Sequence, residues 1–260
     1  MTEISWENGI RSLRKSEMKS LRNLLGDVFF SDLPDIQPHA INAENIRNLL
    51  VVVEDGEVVS HIATIKRYVS VLGCSLKIAS LGGVATYESH RGKGHASSLL
   101  EKTMSVCREE DVDYIMVSGY RNMYHRYGCR HVGKDWEFRI QTDQAKDFDD
   151  SNLTINEAST EDVDGLGAIY RRESVRWVRP PSDIEFGLDG WVCNRRAKTY
   201  LIRRSGNLIA FVVMEQTAKS DETVRCRVLD YAGERSAIIG VLGKFTQKQN
   251  VKEILVHVMG

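Results

Sequence analysis

No stretch of this 260-residue chain is apolar for long enough to span a bilayer, and the opening MTEISWENGI lacks the charged-then-apolar shape of a secretory signal. A cytoplasmic location is expected, with no membrane partner. Charge of one sign is also missing. With 35 basic and 36 acidic residues the formal net charge is -1, which gives no bulk electrostatic reason to expect nucleic acid. The five cysteines, Cys74, Cys107, Cys129, Cys193 and Cys226, are odd in number, far apart and never in a C-x-x-C pair. That pattern argues against a disulfide framework and a structural zinc, and no metal is expected. Two familiar phosphate signatures are missing as well: the three spaced glycines of the dinucleotide fingerprint, and the Gly-Lys-Ser/Thr of the P-loop after its longer glycine spacing.

What the chain does have is concentrated in LGGVATYESHRGKGHASSLL, Leu81 to Leu100. A short apolar strand runs through Arg91-Gly92-Lys93-Gly94-His95-Ala96 into a helix whose Ala96, Leu99, Leu100, Thr103, Met104 and Cys107 share one face. Gly92 and Gly94 let the backbone turn with its amides inward, and the free amides and positive dipole of a helix start favour phosphate. Arg91 and Lys93 add positive charge. Taken alone, the loop is an anion site without a named ligand, because glycine-rich basic turns before helices are common.

The surrounding elements are legible from periodicity. Met18, Leu21, Leu24, Leu25, Val28 and Phe29 form an amphipathic stripe, with Ser16 placed as a cap and Asp32-Leu33-Pro34 as a break. A short helix is predicted over Ala43 to Asn48. Leu50 to Val53 and Val58 to Ala63 flank Glu54-Asp55-Gly56-Glu57 as an antiparallel hairpin. The second strand runs on to Val71, turns near Leu72-Gly73 and returns through Leu76 to Ser80 into the loop. Tyr114 to Val117 reads as a buried strand.

The pattern R-x-x-G-x-A after Val84-Ala85-Thr86 resembles the coenzyme A loop of the Gcn5-related N-acetyltransferases (GNAT family). Met123-Tyr124-His125-Arg126-Tyr127-Gly128-Cys129 resembles that family's tyrosine, arginine, aromatic, glycine signature at the next helix end. The resemblance implies an α/β (α+β) fold whose central sheet is mixed, mostly antiparallel and flanked by helices. Residues 1–145 are expected to form the acetyl-CoA-binding domain.

The polar, acidic stretch Gln141 to Asn152 reads as a connector. Beyond it, the element order of the first half returns. A strand at Leu153 to Ile155, a helix over Asp162 to Ser174, a break at Arg179-Pro180-Pro181, a hairpin around Ser205-Gly206-Asn207, a strand over Val224 to Tyr231, a helix near Ser236 to Gln249 and a strand over Ile254 to Val258 are predicted. Residues 153–260 are thus expected to be a degenerate GNAT-like domain. Ala232-Gly233-Glu234-Arg235-Ser236 stands where the loop would be, with a carboxylate in place of the R-x-x-G-x-A pattern. The chain stops directly after its last strand, so an incomplete chain lacking a C-terminal segment is expected. This tandem order resembles the acetyltransferases of the enhanced-intracellular-survival type, which include aminoglycoside acetyltransferases and carry a third domain.

From the resemblance follow the site assignments. Arg91, Gly92, Lys93, Gly94, His95 and Ala96 would hold the coenzyme pyrophosphate, and Val84, Ala85 and Thr86 the pantetheine arm, beside a strand that splays from its neighbour. Tyr124 would be the catalytic acid. His61, His125 and Glu88 are candidates for the base, with no choice among them, and His90 and His95 flank the loop. The acceptor is expected near Trp6, Phe29, Phe30, Asp32 and Asp35. The activity implied is transfer of an acetyl group from acetyl-CoA to a primary amine, with a small-molecule amine as partner, aminoglycoside-like ones included. A homo-oligomer, a catalytically silent acetyl-CoA sensor or scaffold, and a nucleotide-binding module remain open.

Overall fold

The computed structural model describes residues 9–30, 33–37, 39–133, 135–141, 143, 152–192, 195–215, 225–248 and 251–259. The chain forms two compact units, the first ending at His131 and the second starting at Val132.

In the first unit, β1 (Ile10–Ser12), β2 (Leu49–Glu54), β3 (Glu57–Val71), β4 (Cys74–Thr86) and β5 (Tyr114–Met116) lie side by side in that order. Neighbours are antiparallel except β4 and β5, which run parallel. The β2–β3 turn is Asp55-Gly56, with φ of +50° and +80°, the backbone that a two-residue hairpin of this twist requires. Helices α1 (Met18–Val28), α2 (Leu33–Ile36), α3 (His95–Glu109) and α4 (Asn122–Arg126) complete the unit. The stripe read in α1 buries Leu21, Leu24 and Leu25, whereas Phe29 lies past the helix end and is exposed. Ser16 is not the cap; the Glu17 carboxylate accepts the Arg14 amide at 2.9 Å instead. Only Ile46–Asn48 of the short helix expected before β2 is helical, as one 3-10 turn.

α3 sets the position of the loop before it. Leu99 and Leu100 are buried against Leu50, Val52, Val59, Ile62 and Leu81 of the sheet, and Thr103 and Cys107 continue the same face. Burying each leucine is worth about 2 kcal/mol, so the helix start has little freedom. β5 was expected to be buried, but it is the edge strand, with Tyr114 43% and Met116 40% exposed. Apolar composition alone does not distinguish an edge from an interior strand.

The second unit holds β6 (Asp135–Gln141), β7 (Leu153–Glu157), α5 (Val163–Tyr170), β8 (Val175–Trp177), α6 (Pro181–Leu188), β9 (Trp191–Val192), β10 (Arg195–Arg204), β11 (Asn207–Glu215), β12 (Arg225–Gly233), α7 (Arg235–Lys248) and β13 (Glu253–Met259). Its sheet order is β6-β13-β12-β11-β10-β7, with β12 and β13 parallel and the other neighbours antiparallel. The run from β10 to β13 thus repeats the run from β2 to β5, with α7 in the place of α3. Strand β6, which precedes the acidic connector, pairs along its whole length with β13. Polar composition marks where the chain is solvated, not which sheet takes the strand before it. Most of the connector lies outside the described residues.

Truncating Leu99 tests the support of the loop. Leu99→Ala is expected to cost about 3 kcal/mol by opening a cavity beneath α3, read as faster native-state hydrogen exchange of the β3 and β4 amides.

Candidate active site

The ladder between β3 and β4 breaks at one place. His61 pairs with Ala85 and Ala63 with Gly82, so one residue of β3 faces two of β4, Gly83 and Val84. Such a bulge bends the strand and frees backbone groups from pairing. Gly83 takes φ +55°, and a Cβ there would lie 3.2 Å from the His61 ring and 3.3 Å from Leu25. A glycine inside a strand is a signal for such a bulge, and Gly82-Gly83 carried it in the sequence.

His61 explains the break from the other side. It is 0% exposed, and its Nδ1 lies 2.7 Å from the Gly83 carbonyl oxygen. A carbonyl only accepts, so Nδ1 carries the proton and Nε2 is a bare lone pair. Nε2 is buried without a partner. Burial drives the His61 pKa down to about 4, against a smaller opposing contribution from the Gly83 bond. The ring is therefore neutral at physiological pH, and its one accepting nitrogen is sealed from any amine. His61 does not serve as the base in this arrangement.

Beyond the bulge, Ala85 and Thr86 are buried, and Thr86 Oγ1 lies 2.8 Å from Ser60 Oγ. Arg91 Nε donates to the Thr86 carbonyl at 3.4 Å, tying the loop back to the strand end. Gly92 and Gly94 take φ of +81° and +87°, and no side chain caps α3, which begins directly after Gly94. Its first amides are open to an anion. Lys93 does not stand free around this opening, and His95 Nε2 lies near the same carboxylate without a hydrogen bond to it. Glu54, at the end of β2, lies 3.0 Å from Lys93 Nζ, 2.9 Å from His95 Nε2 and 3.4 Å from His90 Nε2. The Lys93 ammonium beside it holds the Glu54 carboxyl below the usual carboxylate range. Nothing in the sequence marked this tether, since Glu54 reads there as an ordinary turn residue.

Tyr124, on α4, is 5% exposed and packs in the core that also holds Leu81, Leu99 and Met123. A Cβ on Gly119 would lie 2.9 Å from its ring, so the chain after β5 passes close to the phenol. Desolvation raises its pKa above the ordinary tyrosine value, which keeps the proton on the hydroxyl. Tyr127 packs against the same core from outside. His125 bonds the Cys129 carbonyl oxygen at 3.2 Å through Nδ1, and its ring lies 5.0 Å from that of His131. Glu88 is exposed on the 3-10 turn after β4.

On the expected acceptor side, Trp6 and Asp32 lie outside the described residues, and Phe29 and Phe30 are exposed. Asp35 lines a cavity of about 460 Å³, together with Lys15, Met18, Arg22 and Ile41. It pairs there with Arg22 at 2.9 Å. Two cations against one carboxylate give this cavity no charge preference for an amine. Among the described residues, no cluster of metal-ligating side chains is present, and no helix is long and apolar enough to cross a membrane.

The corresponding loop of the second unit carries carboxylates of its own. Glu173 accepts the Gly233 amide at 2.8 Å and pairs with Arg235 at 2.9 and 2.6 Å, while Glu234 pairs with Arg204 and accepts from Ser236 Oγ. These bonds take the Gly233 amide and the side chains of Arg235, Arg204 and Ser236, so the carboxylate read in the sequence at Glu234 is joined there by Glu173.

Residues 9–132 match the family model described as the acetyltransferase (GNAT) domain. That match spans nearly all of the first unit. A probable N-acyltransferase from Enterococcus faecalis V583 superimposes with a TM-score of 0.79 at 15% identity, covering 96% of this chain and 65% of that one. A GCN5-related N-acetyltransferase from Anabaena variabilis gives 0.76 at 16%, with the same coverage. Eis1 from Mycobacterium abscessus gives 0.66 at 18%, covering 95% of this chain and 65% of that one. The two-unit fold of the chain is therefore similar to that of Eis1 and these N-acetyltransferases, and the chain spans about 65% of their length. No curated protein sequence matches the chain.

The buried His61 makes stability depend on acid. Its folded pKa of about 4 lies below the ordinary 6.5, so the unfolded chain binds the extra proton between those values. Stability is complete above pH 6.5 and falls as pH drops toward 4, by about 3 kcal/mol from this group. Urea unfolding of the wild type at pH 7 and pH 5, against His61→Asn, is expected to show a smaller loss in the variant.

Proposed function

We propose that the chain is an acetyl-CoA-dependent N-acetyltransferase acting on a primary amine, with its chemistry confined to the first unit. The observation that carries this reading is the unpaired stretch Gly83–Val84 leading, through a glycine loop, into the uncapped start of α3. The family whose model this unit matches generally uses acetyl-CoA, and the residues present fit that coenzyme. The amides from Gly92 to Ala96 suit a pyrophosphate, with Arg91 beside them. Backbone groups around Val84, Ala85 and Thr86 suit the amide groups of a pantetheine arm, which adds to a sheet as an extra strand does. When bound, acetyl-CoA supplies an activated acyl thioester.

The chain's own residues would do the rest. A backbone amide freed at the bulge is a fixed donor for charge developing on the thioester oxygen, a large contribution in a site of low dielectric. Tyr124 holds its proton on a buried phenol and would donate to the leaving sulfur. Lys93 and His95 would exchange Glu54 for phosphate oxygens as the coenzyme arrives. The acceptor is a small-molecule amine, aminoglycoside-like polyamines included. The base lies elsewhere than His61, whose free nitrogen is sealed.

Three ligands separate this reading from its rivals. Acetyl-CoA is expected to raise the melting temperature, and ATP or GTP to leave it unchanged; a shift with nucleotide alone would make the loop a nucleotide site. Release of free CoA thiol over a panel of amines then tests turnover. Tyr124→Phe is expected to lower kcat by on the order of a hundredfold, and Arg91→Ala to weaken acetyl-CoA binding by about tenfold. Tight binding without release on any amine would favour a sensor.

A further inference from the structure

We infer that His61 is a positioning residue for acyl transfer: its Nδ1–H holds the Gly83 carbonyl out of the β3–β4 ladder, and this keeps the backbone of Gly83 and Val84 open to the thioester. The inference rests on the acyl-transfer reading above and assigns one side chain the task of keeping its strand splayed.

The second unit supplies an internal comparison. Phe211 follows the Ser205-Gly206 turn as His61 follows Asp55-Gly56, fifth in its strand in both cases. The registers agree, because His61 faces Ala85 and Phe211 faces Ala232. In the second unit the ladder continues past that point without interruption, Val212 to Tyr231 and Val213 to Asp230, and shifts only after Val213. In the first unit it breaks immediately after His61. Where the fold carries an imidazole that bonds to the facing strand, the ladder breaks at that residue; where it carries a phenyl, pairing runs two residues further before the ladder shifts.

Packing makes the arrangement specific. Gly83 has no Cβ, and the His61 ring and Leu25 occupy the space that a Cβ would need. The carbonyl is thus gripped from the α1 face, leaving the other side of the bulge to the ligand. The ring's second nitrogen is buried with no partner. A buried polar atom left unsatisfied calls for an explanation, and a core histidine kept only for packing would be better replaced by leucine or phenylalanine. The Gly83 bond is the explanation the structure offers.

Two variants and one spectrum test this. Asparagine places an N–H close to the position of Nδ1, whereas phenylalanine fills the volume and donates nothing. His61→Phe is expected to bind CoA within about threefold of the wild type and to lose on the order of tenfold in kcat with little change in KM for acetyl-CoA. His61→Asn is expected to recover most of that kcat. In the free protein, hydrogen exchange of the Gly83–Ala85 amides is expected to slow in His61→Phe as the ladder closes. If His61→Phe keeps wild-type kcat and exchange, or if His61→Asn falls as far as His61→Phe, the positioning role is wrong. Should the phenylalanine variant not fold, nitrogen-15 spectra of the wild-type imidazole decide: Nδ1 protonated and Nε2 bare supports the bond, and the reverse tautomer overturns it. A wild type that neither binds acetyl-CoA nor releases CoA would sink the acyl-transfer reading itself, while the exchange and imidazole results would still report on the bond.

Discussion

The first unit depends on an interruption: a sheet that stops pairing between His61 and Ala63 on one side and between Gly82 and Ala85 on the other. Backbone groups inside a sheet are costly to leave unpaired, so the break persists only because its neighbours impose it. The His61 ring grips the Gly83 carbonyl, Leu25 closes the space above, and Gly83 takes a positive φ that other residues resist. From that break the chain runs three residues to Thr86, turns through Glu88–His90, and presents the loop before α3. The buried leucines of α3 set where that loop points, and Lys93 donates to Glu54 beside it.

The two units show one fold with different residues around the same helix terminus. Both sheets place a parallel strand pair beside a crossover helix, α3 or α7, and both helices begin after a glycine in the left-handed region, Gly94 directly and Gly233 one residue removed. In the first unit the helix start is left without a side-chain cap. In the second, Glu173 and Glu234 supply negative charge from within the chain. The R-x-x-G-x-A pattern stands before α3 and not before α7, and the proposed chemistry is placed in the first unit on that ground.

Much of this was legible in the sequence because it rests on local rules. Asp55-Gly56 between two apolar runs specifies a hairpin, the three- and four-residue spacing from Ala96 to Cys107 specifies α3, and the second hairpin at Ser205-Gly206 follows in the same way. Tyr124 was singled out by the family resemblance and not by periodicity, and its place in the core was not read from the sequence. What stayed hidden depends on contacts between residues distant in the chain. Glu54 meets Lys93 only because the hairpin end and the loop lie side by side, and His61 meets Gly83 only across a register shift. β5 read as buried, since an edge strand and an interior one share the same composition, and β6 read as part of the first domain, although its partner, β13, is the last strand of the described chain.

The central claim is that the open strand and the loop of the first unit, and not their counterparts in the second, receive the coenzyme. Hydrogen exchange resolved by residue, with and without saturating acetyl-CoA, tests it most directly. The account predicts slowed exchange at Gly83 to Thr86 and at Gly92 to Ala96, with no change at Gly233 to Ser236. Protection at Gly233 to Ser236, or none at Gly92 to Ala96 while acetyl-CoA is bound, would contradict it.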